Sequence, residues 1–211
     1  MILYATLAAL GTFWLLNSGS ASAAPGSGSA STGYAGALPF IDKVPSSQRV
    51  AFEMKVRSLA AELGCRPEEL MAIMHFESGG TLSPSVQNSF GYTGLIQFGT
   101  SAAAMLNTTT AALKAMTHIQ QMDYVAAYFR AAKKSNPGFP KLGFIDLYFA
   151  VFYPKWIPRG MDEILPAGDT LKKNNPALVH NGVVMKRYIL NDYIKRYPFL
   201  ANGNSGGLWG L

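Results

Sequence analysis

The sequence predicts a mainly α-helical protein. Apolar residues recur at intervals of three and four through most of the chain from Phe52 onward, several of these runs open on capping or first-turn residues and close on glycine or proline, and no run alternates in the manner of strands. The length, 211 residues, suits one domain of roughly 150 residues plus appendages. A single cysteine, Cys65, excludes an intramolecular disulfide.

Taken in order, the first element is an uncharged apolar run from Ile2 to Leu16. It is long enough for a signal-peptide core and short of the ~20 residues that cross a bilayer without strain. Ala21-Ser22-Ala23 supplies a small-residue cleavage pattern, but no Lys or Arg precedes the run, so residues 1–24 read as either a signal peptide or a membrane anchor. Both place the remainder outside the cytoplasm or in a membrane-bearing particle, with a membrane partner through residues 2–16. Residues 25–41 continue as a Gly/Ser-rich linker. The Gly, Ser, Ala and Pro stretch from Asn17 to about Leu38 would span roughly 25 Å as a flexible tether.

The expected globular domain covers residues 42–199. Ser46 or Ser47 caps a first helix carrying Phe52, Val56, Leu59 and Leu63 and stopped by Gly64. Pro67 opens a second, with Glu68 and Glu69 suited to its positive end. Thr117 and Gln120 have the spacing of a capping box, and the helix behind them carries Ile119, Met122, Val125 and Phe129. Phe144 to Tyr153 is apolar almost all round, which predicts a central buried helix ended by Pro154. Val183 to Tyr197 reads as a last amphipathic helix with Lys186, Arg187, Lys195 and Arg196 outward. Residues 200–211 form a flexible Gly-rich tail.

The net charge of +6 is uneven. Residues 130–211 hold twelve basic against five acidic side chains, whereas 42–129 are balanced, so any anionic partner would meet the C-terminal half. No interleaving of aromatic and basic residues argues for nucleic acid.

Glu77 breaks the apolar pattern of its helix. Leu70, Ile73, Met74 and Glu77 share one stripe, so the carboxyl faces the core at the helix end, and Gly79-Gly80 then breaks the chain. A desolvated carboxyl at the floor of a cleft keeps its proton near neutrality and suits a general acid. The alternative from periodicity alone is a capping or structurally paired glutamate. His75, His118 and His180 lack metal-ligand spacing, so the reading calls for no metal and no cofactor. Cys65 reads as a small buried residue rather than an activated thiol.

The stretch from Glu77 to Phe98 resembles the signature of the lytic transglycosylase and goose-type lysozyme superfamily. Glu77-Ser78 closes a helix, a polar loop follows, and Gly91-Tyr92-Thr93-Gly94-Leu95-Ile96-Gln97 matches the second element. The resemblance covers residues 67–100, and more loosely 101–155. It implies a lysozyme-like (transglycosylase) helical domain whose substrate is peptidoglycan and whose reaction cuts the β-1,4 bond between N-acetylmuramic acid and N-acetylglucosamine. By the same implication Glu77 is the catalytic acid, and Ser78 and Gln97 line the sugar subsites. Gly91 and Gly94 let backbone approach the glycan. Tyr92 and Phe98 stack on sugar or pack in the core.

After Glu77 the next acidic residue is Asp123, so the adjoining loop offers no second carboxylate. Substrate-assisted transglycosylation is therefore favoured over hydrolysis by a muramidase, with Asp123 or Asp146 the residues that would reverse the preference by folding into the cleft. The chain departs from the bacterial enzymes in lacking their Ala-Tyr-Asn-Ala-Gly segment. Ala150 to Lys155 stands in its place and offers Tyr153 as the cleft tyrosine. The stretch Phe152-Tyr153-Pro154-Lys155-Trp156-Ile157-Pro158 is similar to the phage-associated branch, which implies an entry lysin on a virion membrane or particle. A periplasmic or cell-envelope enzyme is the alternative setting, and a non-catalytic wall-binding or virion structural protein the alternative function.

Overall fold

The computed structural model describes residues 36–138 and 141–202. The apolar segment 2–16, the cleavage pattern and most of the linker lie outside the described residues, as do 203–211 of the tail. Among the described residues no helix is long and apolar enough to cross a membrane.

The described chain is mainly helical, and its extended pairing is confined to isolated bridges. Eight α-helices run as α1 (Arg49–Leu63), α2 (Pro67–Glu77), α3 (Thr100–Met105), α4 (Thr110–Lys114), α5 (His118–Lys134), α6 (Phe144–Phe152), α7 (Asp169–Asn174) and α8 (Lys186–Arg196). Helix α6 is the hub: it packs against α2, α5 and α8, while α1 lies across α2 and α5. Seven of the nine α6 side chains from Phe144 to Ala150 are buried in sequence, as an all-round apolar helix requires, and Phe152 joins them. The Tyr128 hydroxyl of α5 donates to the Ala150 carbonyl of α6 at 2.8 Å, a buried tie between the two.

Several expected boundaries are met. Gly64 closes α1, Pro67 is the first residue of α2, and the Thr117–Gln120 capping box opens α5 with both reciprocal hydrogen bonds formed. The start of α1 differs: Ser46 to Gln48 make a 3₁₀ turn and Gln48 occupies the cap without a side-chain bond. Pro45 explains the shift, since its fixed φ favours a tight turn ahead of the helix.

The packed body extends beyond the expected domain limits at both ends. Leu38 is 2 % exposed and Phe40 stacks on His75 at 3.8 Å, so the linker's last residues belong to the core. Leu200 is fully buried, and Arg66, at the α1–α2 corner, donates to the carbonyls of Phe199 and Leu200 and to that of Asn202. The start of the expected tail is thus clasped to the body.

The last helix also needs correction. It begins at Lys186 rather than Val183, because 180–184 is held as a bridged turn, with Leu165 N donating to Val184 O at 2.8 Å. Lys186, expected outward, is fully buried: its Nζ pairs with Asp146 of α6 at 3.0 Å and donates to Ile157 O at 2.7 Å. Arg187, Lys195 and Arg196 do face solvent.

Candidate active site

Helix α2 delivers Glu77 to the place its spacing predicts. The side chain retains 9 % of its surface, and no hydrogen bond or ion pair to its carboxyl occurs among the described residues. Burial alone pushes its pKa from the ordinary carboxylate range up to about 8. No charged neighbour adds to that effect. Asp146 is tied to Lys186, and Asp123 pairs with Lys55 at the surface, so the two carboxylates that could have reversed the single-carboxylate preference are each engaged with a lysine.

The chain leaves Glu77 sharply. Gly79 and Gly80 both take positive φ, at 64° and 83°, and their amides donate back to the carbonyls of Phe76 and His75. Ser78 is fully enclosed, with its hydroxyl donating to Met74 O at 2.6 Å and accepting from Leu82 N at 2.8 Å. Its hydroxyl holds the loop that follows to the end of the helix.

The second element of the signature is a compact turn. Thr93 and Phe98 exchange both backbone hydrogen bonds, at 3.0 and 2.8 Å, and Gly94 N donates to Val86 O. Gly94 has φ +83°, and a Cβ there would lie 2.3 Å from the Gln121 side-chain oxygen. That side chain, from α5, accepts from Leu95 N at 2.7 Å and donates to Pro84 O and Leu113 O at 2.8 Å each. One buried amide therefore fastens the loop after Glu77, the Gly94 turn and α4 together. Nothing in the sequence singled out Gln121, because a glutamine in the second turn of a helix reads as ordinary surface.

Gln97 sits at φ +53°, a strained conformation for a side chain of its shape, and so does the buried Leu82 at +51°. The Gln97 amide nitrogen donates to Gly94 O at 3.1 Å, while its Oε1 is buried without a partner. Tyr92 is half-buried against Gly99, and Phe98 is a core residue packed edge-on to Tyr128. Of the two aromatics, only Tyr92 keeps surface to offer.

Tyr153 follows α6 and its ring lies 4.6 Å from that of Trp156, within the aromatic cluster of Phe149, Phe152 and Trp156. Burial raises the pKa values of Tyr148 from α6, Tyr193 from α8 and Tyr197 beyond α8; a charge on Glu77 adds to each, and the Tyr148 and Tyr193 hydroxyls also interact with one another. Phe76, next to Glu77, contacts Tyr148 and Tyr193 at 6.4 and 4.8 Å between centroids. Helical spacing did not reveal these hydroxyls, since tyrosines on an apolar stripe read as core.

His75 is turned away from chemistry. Burial, with Lys43 and Arg196 nearby, pulls its pKa down to about 4, and its Nδ1 shares a 2.9 Å hydrogen bond with the Tyr197 hydroxyl. Burial likewise raises the Cys65 thiol far above neutrality, which removes any thiolate. Among the described residues no group of three or more His, Cys, Asp or Glu could hold a metal ion.

No family model, curated protein or solved structure matches the chain.

Proposed function

We propose that the protein is a peptidoglycan lytic transglycosylase with a lysozyme-like fold, in which Glu77 alone serves as acid and then base. The observation that carries this reading is a carboxyl kept protonated by burial, with no second carboxylate acting on it. The resemblance of residues 77–98 to the superfamily signature supplies the substrate class. The buried Gln97 Oε1, without a partner among the described residues, would on this reading accept from an amide or hydroxyl of the glycan.

Each step balances on groups of the chain and the glycan. Glu77 gives its proton to the glycosidic oxygen, and the bond from that oxygen to the muramic acid C1 breaks. The N-acetyl oxygen of the same sugar bonds to C1, so the substrate is its own nucleophile. The 6-hydroxyl oxygen then attacks C1, the bond to the N-acetyl oxygen opens, and the hydroxyl proton returns to the Glu77 carboxylate. The product is a 1,6-anhydro sugar and no water is consumed. A setting on a virion membrane or in a cell envelope, reached through residues 2–16, belongs to the same proposal.

The test is a mass spectrum of fragments released from purified peptidoglycan by the full-length protein and by Glu77→Gln. Fragments one water lighter than reducing muropeptides, from wild type alone, are the expected result, with activity falling as pH rises past about 8 because the acid loses its proton. Reducing ends would make it a muramidase. Silence from both proteins, with equal retention on the wall, would make it a binding or structural module.

A further inference from the structure

Both ends of the packed body meet on one side chain of α2. The Phe40 ring stacks on His75 at 3.8 Å with 16° between the planes, and the Tyr197 hydroxyl shares a 2.9 Å hydrogen bond with His75 Nδ1. Phe199 closes the cluster at 6.1 Å from Phe40 and 5.9 Å from Tyr197. The turn after Glu77 touches the same ring, since a Cβ on Gly80 would lie 3.5 Å from His75 Cε1. The charged and titratable groups that face the imidazole are Lys43 and Asp42 from the 3₁₀ turn Ile41–Lys43, Arg196 from the end of α8, and Tyr197 just beyond it. Burial and the two cations outweigh Asp42, so a proton on this ring is disfavoured where it sits, and the pKa falls from 6.5 to about 4.

We propose that His75 is an acid-sensitive latch, whose protonation releases residues 38–41 from α2 while the helical core stays folded. The ring itself cannot leave, because Leu70, Ile73 and Met74 hold α2 in the core. Tyr197 is restrained as well: Arg66 donates to the carbonyls of Phe199 and Leu200 at 3.1 and 3.4 Å, and a guanidinium keeps its charge throughout. Phe40 is the partner that can move. Its backbone sits at φ 64°, a left-handed conformation that a bulky side chain adopts only under constraint, so release relieves that strain. Arg49 grips the carbonyls of Asp42 and Val44, at 2.7 and 2.8 Å, which places the pivot at Asp42. Opening exposes the Phe40 ring and Leu38, which is 2 % exposed in the closed form, so the latch stays shut at neutral pH. Between about 4 and 6.5 the open form binds a proton that the closed form does not. Closure therefore weakens as pH falls through that window and changes no further below it. Opening also uncovers the ring that abuts Gly80, which ties the acidity of the medium to the turn behind Glu77.

The latch is tested without reference to the reaction assigned to Glu77. Hydrogen exchange of the full-length protein is followed from about pH 7 to about pH 3.5, with each rate corrected for the intrinsic pH dependence of exchange. The Ile41 and Lys43 amides, bonded to Leu38 O and Phe40 O, report opening, and amides in the middle of α5 report the core. Protection of the first pair should fall by about two orders of magnitude over this range while that of α5 holds. In His75→Phe, which keeps a stacking ring and has no nitrogen to titrate, the same protection should not depend on pH. Constant protection in wild type, an equal fall in His75→Phe, or a parallel loss in α5 each overturns the proposal. If His75→Phe does not fold, the ¹⁵N titration of the wild-type imidazole decides, assigned through its contact with the Phe40 ring. A midpoint near 4, where the fall in protection levels off, supports the latch, and a midpoint at the ordinary 6.5 overturns it.

Discussion

Glu77 sets a conflict between stability and chemistry within one side chain. The unfolded chain releases this proton near the ordinary value of 4.5, whereas the folded protein holds it until about 8. Between those values the native state binds a proton that the unfolded state does not, so stability falls as pH rises through the window and levels off above it. Glutamine has no proton to lose. Glu77→Gln is therefore expected to be more stable than wild type at pH 8, by on the order of 2–4 kcal/mol, with the difference vanishing near pH 4. Urea titrations at the two pH values measure it. A constant difference would mean that the carboxyl is solvated in the folded state. Gln97 carries a related cost, since its left-handed backbone and orphaned oxygen are each unfavourable and persist because the surrounding turn imposes them.

The turn that follows is held by one contact. Gly94 approaches the Gln121 amide so closely that any Cβ would overlap it, and its φ of +83° disfavours a side chain independently. Displacing Gln121 would strand backbone groups at three places, namely Leu95 N, Pro84 O and Leu113 O. Gly94→Ala should accordingly lower stability by about 2–4 kcal/mol and loosen the segment that carries Gln97. Thermal melting reads the first effect and hydrogen exchange at the Leu95 amide the second. Protection of that amide at the wild-type level would show that the turn does not depend on Gln121.

Through the molecule as a whole, the C-terminal half is joined to the half that holds Glu77 by polar groups that the solvent never reaches. Asp146 and Lys186 are 1 % and 0 % exposed, and Lys186 also satisfies Ile157 O, so α6, α8 and the turn at Pro154–Trp156 meet at one ammonium group. Lys186→Met leaves Asp146 as a buried, unpaired charge and should cost about 3–5 kcal/mol. Adding Asp146→Asn removes that charge and should restore most of the loss. Chemical denaturation of the single and double variants gives the comparison, and a double variant no better than the single would show that the pair does not act as a unit. Because α8 also packs Tyr193 against Phe76, the residue before Glu77, loosening this joint should disturb the end of α2 from a distance.

Helices α1, α2, α5 and α6 were legible in the chain because their signals are local: a 3.6-residue apolar period, a proline at a first turn, a capping box, a glycine past the end. Glu77 was legible for the same reason, as a polar break at a fixed position on an apolar stripe. Local pattern could not show that Ser78 spends its hydroxyl on backbone, that Gln121 fastens three segments, or that Lys186 turns inward to Asp146 forty positions away. Those outcomes depend on partners remote in sequence, and a polar side chain looks the same on paper whether water or a buried counterpart satisfies it. The short helices α3, α4 and α7 escaped for a further reason: at five or six residues they are too brief to show a period and are held by what they pack against. Periodicity and caps thus determined the long helices and the place of Glu77, while packing decided which polar side chains are enclosed and which remote partners satisfy them.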